Sequence, residues 1–140
     1  MHGVPPLAFD AALAAEAKAY ADILKANDNG LVHSTEEQRT LPNQGENLTF
    51  FFSTKLGEED DLSTTALATK GWYNEIKDYN FDAPGFSSKT GHFTQVIWKS
   101  TCRLGCGVAD EYLVCRYQNA GNINNQGFFK ENVCQVGGCK

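Results

Sequence analysis

Gly105-Cys106-Gly107-Val108-Ala109-Asp110-Glu111-Tyr112-Leu113-Val114-Cys115 reads as two short strands folded about a tight turn. With Asp110-Glu111 as a two-residue turn, Ala109 opposes Tyr112, Val108 opposes Leu113, Gly107 opposes Val114 and Cys106 opposes Cys115. Directly opposed residues of a non-hydrogen-bonded pair come close enough for a disulfide, so Cys106–Cys115 is the expected bridge. Asp-Glu lacks the glycine that such a turn favours, and a longer loop is the alternative.

Upstream of the hairpin, His92 to Trp98 reads as a further strand. Neither alternating set, His92/Thr94/Val96/Trp98 or Phe93/Gln95/Ile97, is cleanly polar, which suits a strand covered on both faces. Further back, Asp10 is a natural N-cap for a helix reaching about Ala26, with Leu13, Ala17, Tyr20 and Leu24 on one stripe. Asn27-Asp28-Asn29-Gly30 supplies turn chemistry that ends it. A second helix follows the acidic run Glu58 to Asp61, capped by Ser63 or Thr64. It runs to about Tyr79 with Trp72, Tyr73, Ile76 and Tyr79 on one face. Glu75 lies roughly 40° from Tyr79 on the helical wheel, at the half-buried margin of that face. Helices flanking a short antiparallel sheet give an α+β fold, a three-layer α-β-α sandwich, as one domain over residues 1–140. Residues 119–140 form a Gly/Asn/Cys-rich C-terminal segment.

The formal net charge of −5, with no basic cluster, opposes nucleic-acid binding. No apolar run approaches the ~20 residues that span a bilayer, so a transmembrane segment is not expected. Met1 to Pro6 reads as a loop rather than a signal peptide, although a mature secreted chain has already lost its signal. His2, beside the terminus, is expected in solvent. The five cysteines all lie from Cys102 onward and form no C-x-x-C pair, which favours disulfides in an oxidising compartment over a zinc knuckle. The odd count leaves one thiol over, and the pairing among Cys102, Cys134 and Cys139 stays open.

Gly91-His92-Phe93-Thr94-Gln95-Val96-Ile97-Trp98-Lys99-Ser100-Thr101 resembles the first signature of the CAP superfamily. Its members include cysteine-rich secretory proteins, insect antigen five and plant pathogenesis-related proteins. Tyr112 to Ile123 resembles the second signature, and His33-Ser34 and Gly45-Glu46-Asn47-Leu48 resemble two shorter motifs. Four motifs in order over about 90 residues make a specific match. Trp72 to Phe81 and Gly127 to Val133 look most like the Golgi-associated branch, whereas Cys106 and Cys115 are similar to secreted members. The resemblance therefore implies an extracellular protein, with a Golgi or membrane-associated location as the alternative. Relatives usually open with a helix before the stretch matching His2 to Pro6. Without it, apolar core surface would be exposed, and a homodimer or marginal stability would follow.

By that resemblance His33, Glu46, Glu75 and His92 line a polar cleft. Two imidazoles can ligate a divalent metal such as zinc, with a glutamate on the second nitrogen of each. Two protein ligands are fewer than the usual three or four, so zinc would bind weakly and is not a required cofactor. Phe50, Phe51 and Phe52 are implied in lipid or sterol capture, the alternative being a strand or loop edge buried under the helices; contact of the protein with a membrane surface stays open. Three successive rings cannot all face one side of a strand. No nucleophile accompanies the histidines, and no G-x-S-x-G elbow occurs, so catalysis is not expected. The reading is a secreted lipid- or sterol-binding module with a defence or signalling role. The alternatives are a metal-assisted hydrolase using His33, His92 and a glutamate, and a protein-interaction module with a structural cleft. Asn47-Leu48-Thr49 is a glycosylation sequon, expected to be packed and unmodified.

Overall fold

The computed structural model describes residues 1–51 and 61–138. Strand β1 (Ala8–Phe9) leads into helix α1 (Ala11–Asn27), followed by a 3-10 turn (Glu36–Gln38) and strand β2 (Gln44–Phe50). Helix α2 (Asp61–Tyr73) passes into a second 3-10 turn (Asn74–Asp78), then come α3 (Gly91–Val96), β3 (Arg103–Ala109), β4 (Tyr112–Gln118) and α4 (Phe128–Asn132).

The hairpin forms in the register read from sequence, from Ala109↔Tyr112 through Cys106↔Cys115, and the Cys106–Cys115 disulfide closes it. Asp110 adopts a left-handed φ of 48°, so an aspartate supplies the conformation usually left to glycine. The sheet order is β1-β3-β4-β2. The pairings β3–β4 and β4–β2 are antiparallel, and the two-residue β1 adds a parallel rung on Arg103 and Leu104.

Helix α1 starts where expected: the Asp10 carboxylate accepts from the Ala12 and Leu13 N–H groups. It ends at Asp28, whose left-handed backbone lets its N–H reach the Leu24 carbonyl. The predicted stripe is buried with Ala21 added, and Ala17, Tyr20, Ala21 and Leu24 pack against Leu48, Ala109, Tyr112 and Val114. Gly105 and Gly107 permit this contact, because a Cβ at either would sit 2.2–2.3 Å from a backbone nitrogen of α1. On the opposite face, Ala68 and Trp72 of α2 pack on Leu113, Cys115 and Tyr117. The strands lie between these two helical layers. A third cluster, centred on Phe93, Ile97, Trp98, Phe129 and Val133, ties α3 and α4 to the second 3-10 turn.

Several expectations are corrected. His92 to Trp98 is not a strand: Gly91–Val96 is a helical turn and a half. Phe93 and Ile97 are four apart and both buried, a helical spacing. The Thr94 hydroxyl lies 3.1 Å from the Thr90 carbonyl one turn back, the contact threonine makes in helices. Ser63 and Thr64 lie inside α2 rather than capping it, and regular α-helix stops at Tyr73, with 3-10 geometry carrying the chain to Asp78. Residues 58–60 lie outside the described residues.

His2 is the largest surprise, because it is buried. Its Nδ1–H donates to the Cys134 carbonyl at 2.6 Å, and Nε2 accepts from the Tyr73 hydroxyl at 2.8 Å. The edges of Tyr73 and Phe93 flank the ring. Both nitrogens are satisfied, so burial carries no unpaired polar penalty. Cys134 is disulfide-bonded and Cys102 is an exposed free thiol; Cys139 lies outside the described residues.

Candidate functional site

The site is assembled on β2, the outer strand of the sheet. Its residues alternate: Glu46, Leu48 and Phe50 face α1, while Asn47 and Phe51 face α2. Consecutive residues Glu46 and Asn47 therefore serve opposite faces of one edge.

On the α1 face, His33 Nδ1–H donates to Glu46 Oε1 at 2.8 Å. Ser34 adds its backbone N–H to the same oxygen at 3.0 Å and its hydroxyl to Oε2 at 2.7 Å. Glu46 is 1 % exposed, and Arg116, its direct cross-strand partner, is completely buried with Nε 2.8 Å from Oε2. That contact is a charge pair outside hydrogen-bond geometry, and Arg116 Nη2 has no hydrogen-bond partner. Arg116 Nη1 donates to Gln44 Oε1 and lies 3.6 Å from Glu16 Oε2, while the guanidinium carbon stands 5.4 Å from the centre of the Tyr20 ring. Arg39 donates to the Ser34 hydroxyl and to the carbonyls of Ser34 and Gln44. Burial by itself would raise the Glu46 carboxyl above its ordinary range. The hydrogen bonds from His33 and Ser34, together with the Arg116 charge, outweigh burial and hold it below. The imidazole of His33 is mostly exposed.

On the α2 face, Glu75 comes from the 3-10 turn after α2 and is half-buried, as its place on the helical wheel predicted. Its Oε1 accepts from His92 Nδ1–H at 2.7 Å and its Oε2 from the Phe93 N–H at 3.0 Å. Trp72, one turn earlier, lies parallel to the His92 ring, with centroids 5.8 Å apart and planes 16° from parallel. Asn47 is buried, and its Nδ2 donates to the His92 carbonyl and the Tyr117 hydroxyl. The sequon amide is thus occupied inside the fold.

The structure joins His33 to Glu46 and His92 to Glu75, as two carboxylate-braced imidazoles linked through the Glu46-Asn47 backbone. With Nδ1 engaged, each ring keeps Nε2 as its remaining nitrogen, the donor set a zinc ion would use. Among the described residues no group of three or more His, Cys, Asp or Glu side chains is placed to hold a metal. Ser34 is not poised as a nucleophile, because its hydroxyl donates to Glu46 and accepts from Arg39.

Arg116 and Arg39 are the residues sequence reasoning missed. The signal was present: a lone arginine in a strand whose neighbours Val114, Cys115 and Tyr117 are all apolar implies a buried ion pair.

The aromatic run divides. Phe50 packs on Tyr112 in the α1-side core, with ring centroids 5.0 Å apart. Phe51 joins the α2-side cluster with Leu7, Leu104, Cys106 and Val108. Phe52 lies outside the described residues. Leu7, Leu104, Cys106 and Val108 of that cluster border an apolar groove of about 470 Å3 between the β1–β3 edge and α2, where Phe9, Val108 and Leu113 face Thr65, Ala66 and Thr69.

No helix among the described residues is long and apolar enough to cross a membrane. The chain is 43% identical over 137 residues to the human (Homo sapiens) Golgi-associated plant pathogenesis-related protein 1, covering 94% of this chain and 82% of the relative. It is 39% identical to pathogenesis-related protein 1 of Arabidopsis thaliana, covering 89% and 71%. It is 36% identical to salivary antigen-5 of Triatoma infestans but covers 67% of this chain and 44% of that relative. The structure of BmVAL-1 superposes with a TM-score of 0.66 at 26% identity, covering 85% of this chain and 61% of the other. The crystal structure of NaASP2 with Zn2+ gives 0.65 at 23% identity, covering 91% and 67%. Residues 1–117 match the model of the CAP family, described as the cysteine-rich secretory protein family. The chain belongs to that family, and its α+β sandwich is the CAP fold.

Proposed function

We propose that this protein is a secreted, non-catalytic CAP binding module whose ligand is a lipid or sterol. The groove between the β1–β3 edge and α2 carries the reading. At about 470 Å3 it falls within the range of small-molecule sites, and Leu7, Leu104, Val108 and Leu113 give it an apolar lining. Phe51 packs in the same α2-side cluster as Leu7, Leu104 and Val108, which line the groove. The Cys106–Cys115 bridge and the salivary antigen relative support an extracellular location, and the pathogenesis-related relatives support a role in defence.

Fluorescent-sterol and labelled fatty-acid titrations test this. Saturable binding is expected, weakened ~10-fold by Val108→Asp, since a charge in an apolar groove must be desolvated. Absence of uptake by the folded protein would overturn it.

A second reading concerns the paired imidazoles. His33 and His92 would hold a divalent ion such as zinc through Nε2, with Glu46 and Glu75 keeping each ring in the Nδ1–H tautomer. Two such ligands make a weak site. Bound zinc would supply a Lewis acid, but the committed hydroxyl of Ser34 argues against a hydrolase built on this cleft. Zinc titration of wild type and His92→Ala separates a site from nonspecific uptake.

A further inference from the structure

We propose that Trp72 is the positioning residue of His92, fixing the plane of its ring so that Nε2 is presented in one orientation. The proposal rests on the reading of His92 as a ligand. Trp72 and Glu75 are three residues apart and act on different parts of one ring. The indole covers a face, and the carboxylate takes the Nδ1 edge at 2.7 Å. A hydrogen bond at one edge leaves an imidazole free to rock about that bond; a parallel aromatic face removes that freedom.

Trp72 can do this because it is itself immobile. It is 4 % exposed and packed among Ala68, Leu113, Cys115 and Tyr117. A group whose own rotamer is locked by packing holds its neighbour to closer tolerance than a mobile one. The Glu75 carboxylate is also tied, through its second oxygen, to the Phe93 N–H on the histidine's own backbone.

His33 is the internal comparison. It has the same carboxylate brace at 2.8 Å, but 62 % of its side chain is exposed, against 34 % for His92. The two rings are thus unequal: His92 is held at an edge and a face, whereas the mostly exposed His33 is held firmly at one edge. An incoming ion would find His92 already oriented and would have to order His33.

The test is 15N and 13C NMR relaxation of the histidine side chains in the metal-free protein, followed by zinc titration. Both rings should hold the Nδ1–H tautomer that their glutamates fix, with the His92 ring rigid and the His33 ring rocking. Trp72→Phe, which keeps a flat face, should preserve the rigid His92 ring. Trp72→Met, which fills space without a face, should let it rock and weaken zinc ~10-fold, the range for loss of a partner that orients a ligand. A folded Trp72→Met protein whose His92 ring stays as rigid as in wild type would overturn the proposal. So would a wild-type His33 ring as rigid as that of His92, a comparison that needs no variant to fold. If the ring-order results hold but wild type takes up no zinc, the ligand reading fails and the positioning role stands.

Discussion

Glu46 and Arg116 face each other across β2 and β4 with carboxylate and guanidinium 2.8 Å apart and almost no exposure to solvent. Removing one partner leaves the other charged in the interior, which costs about 3–5 kcal/mol, whereas an apolar replacement of both recovers much of that. Glu46→Gln and Arg116→Met should each destabilise by that amount in urea unfolding. The Glu46→Leu/Arg116→Met double variant should be less damaged than the sum.

The same pair sets an acid limit. Glu46 titrates below its ordinary value of 4.5 in the folded state because its hydrogen bonds and the Arg116 charge outweigh burial. A carboxyl depressed by folding contributes stability that is complete above its unfolded value and is lost as pH falls through the folded one. Wild-type melting temperature should therefore drop as pH goes below about 4.5. Glu46→Gln should be lower at neutral pH and flatter across that window, as read by calorimetry.

Gly107 lies under α1, where an added Cβ would stand 2.3 Å from the Lys18 backbone nitrogen. Backbone cannot rotate away as a side chain can, so Gly107→Ala should push α1 from the sheet. Overpacking of this kind costs about 1–3 kcal/mol or more. Gly71→Ala has open space around the new methyl and serves as the control for thermal unfolding.

His2→Ala should cost about 1–3 kcal/mol, because it strips a partner from the Cys134 carbonyl and the Tyr73 hydroxyl in a buried setting. Hydrogen exchange should show faster opening at Gly137, whose N–H bonds the Met1 carbonyl.

Asn47 should carry no glycan in protein made by a secretory host, since its amide is committed to His92 and Tyr117 inside the fold. Intact-mass measurement before and after glycosidase treatment checks this. A mass loss at Asn47 would mean that the strand was accessible before it paired.

What was legible in the sequence was what local rules determine. Leu13, Ala17, Tyr20 and Leu24 repeat with helical period, and the hairpin register follows by counting outward from Asp110-Glu111. Glu75 is half-buried as expected, although it sits in a 3-10 turn and not on the α-helical wheel that suggested it. The misreadings have physical causes. A six-residue helix rich in β-branched and aromatic side chains imitates a strand, and the Phe93–Ile97 spacing that betrays it spans a single turn. His2 was read as solvated because its partners lie 71 and 132 residues away. Arg116 escapes local rules because the carboxylate it pairs with lies on another strand, 70 residues earlier in the chain.

Strand β2 gives its two imidazole centres to a single dipeptide. Seven consecutive rungs from Gln44↔Gln118 to Phe50↔Tyr112 lock the strand against β4. A slip of one residue would turn Glu46 to the α2 face and Asn47 to the α1 face, parting the carboxylate from Arg116 and His33 and the amide from the His92 carbonyl. Side chains here can be traded singly, but the reading frame of the strand cannot: one residue inserted or deleted just ahead of Glu46 would strip His33 of its carboxylate and the His92 carbonyl of its amide donor at once.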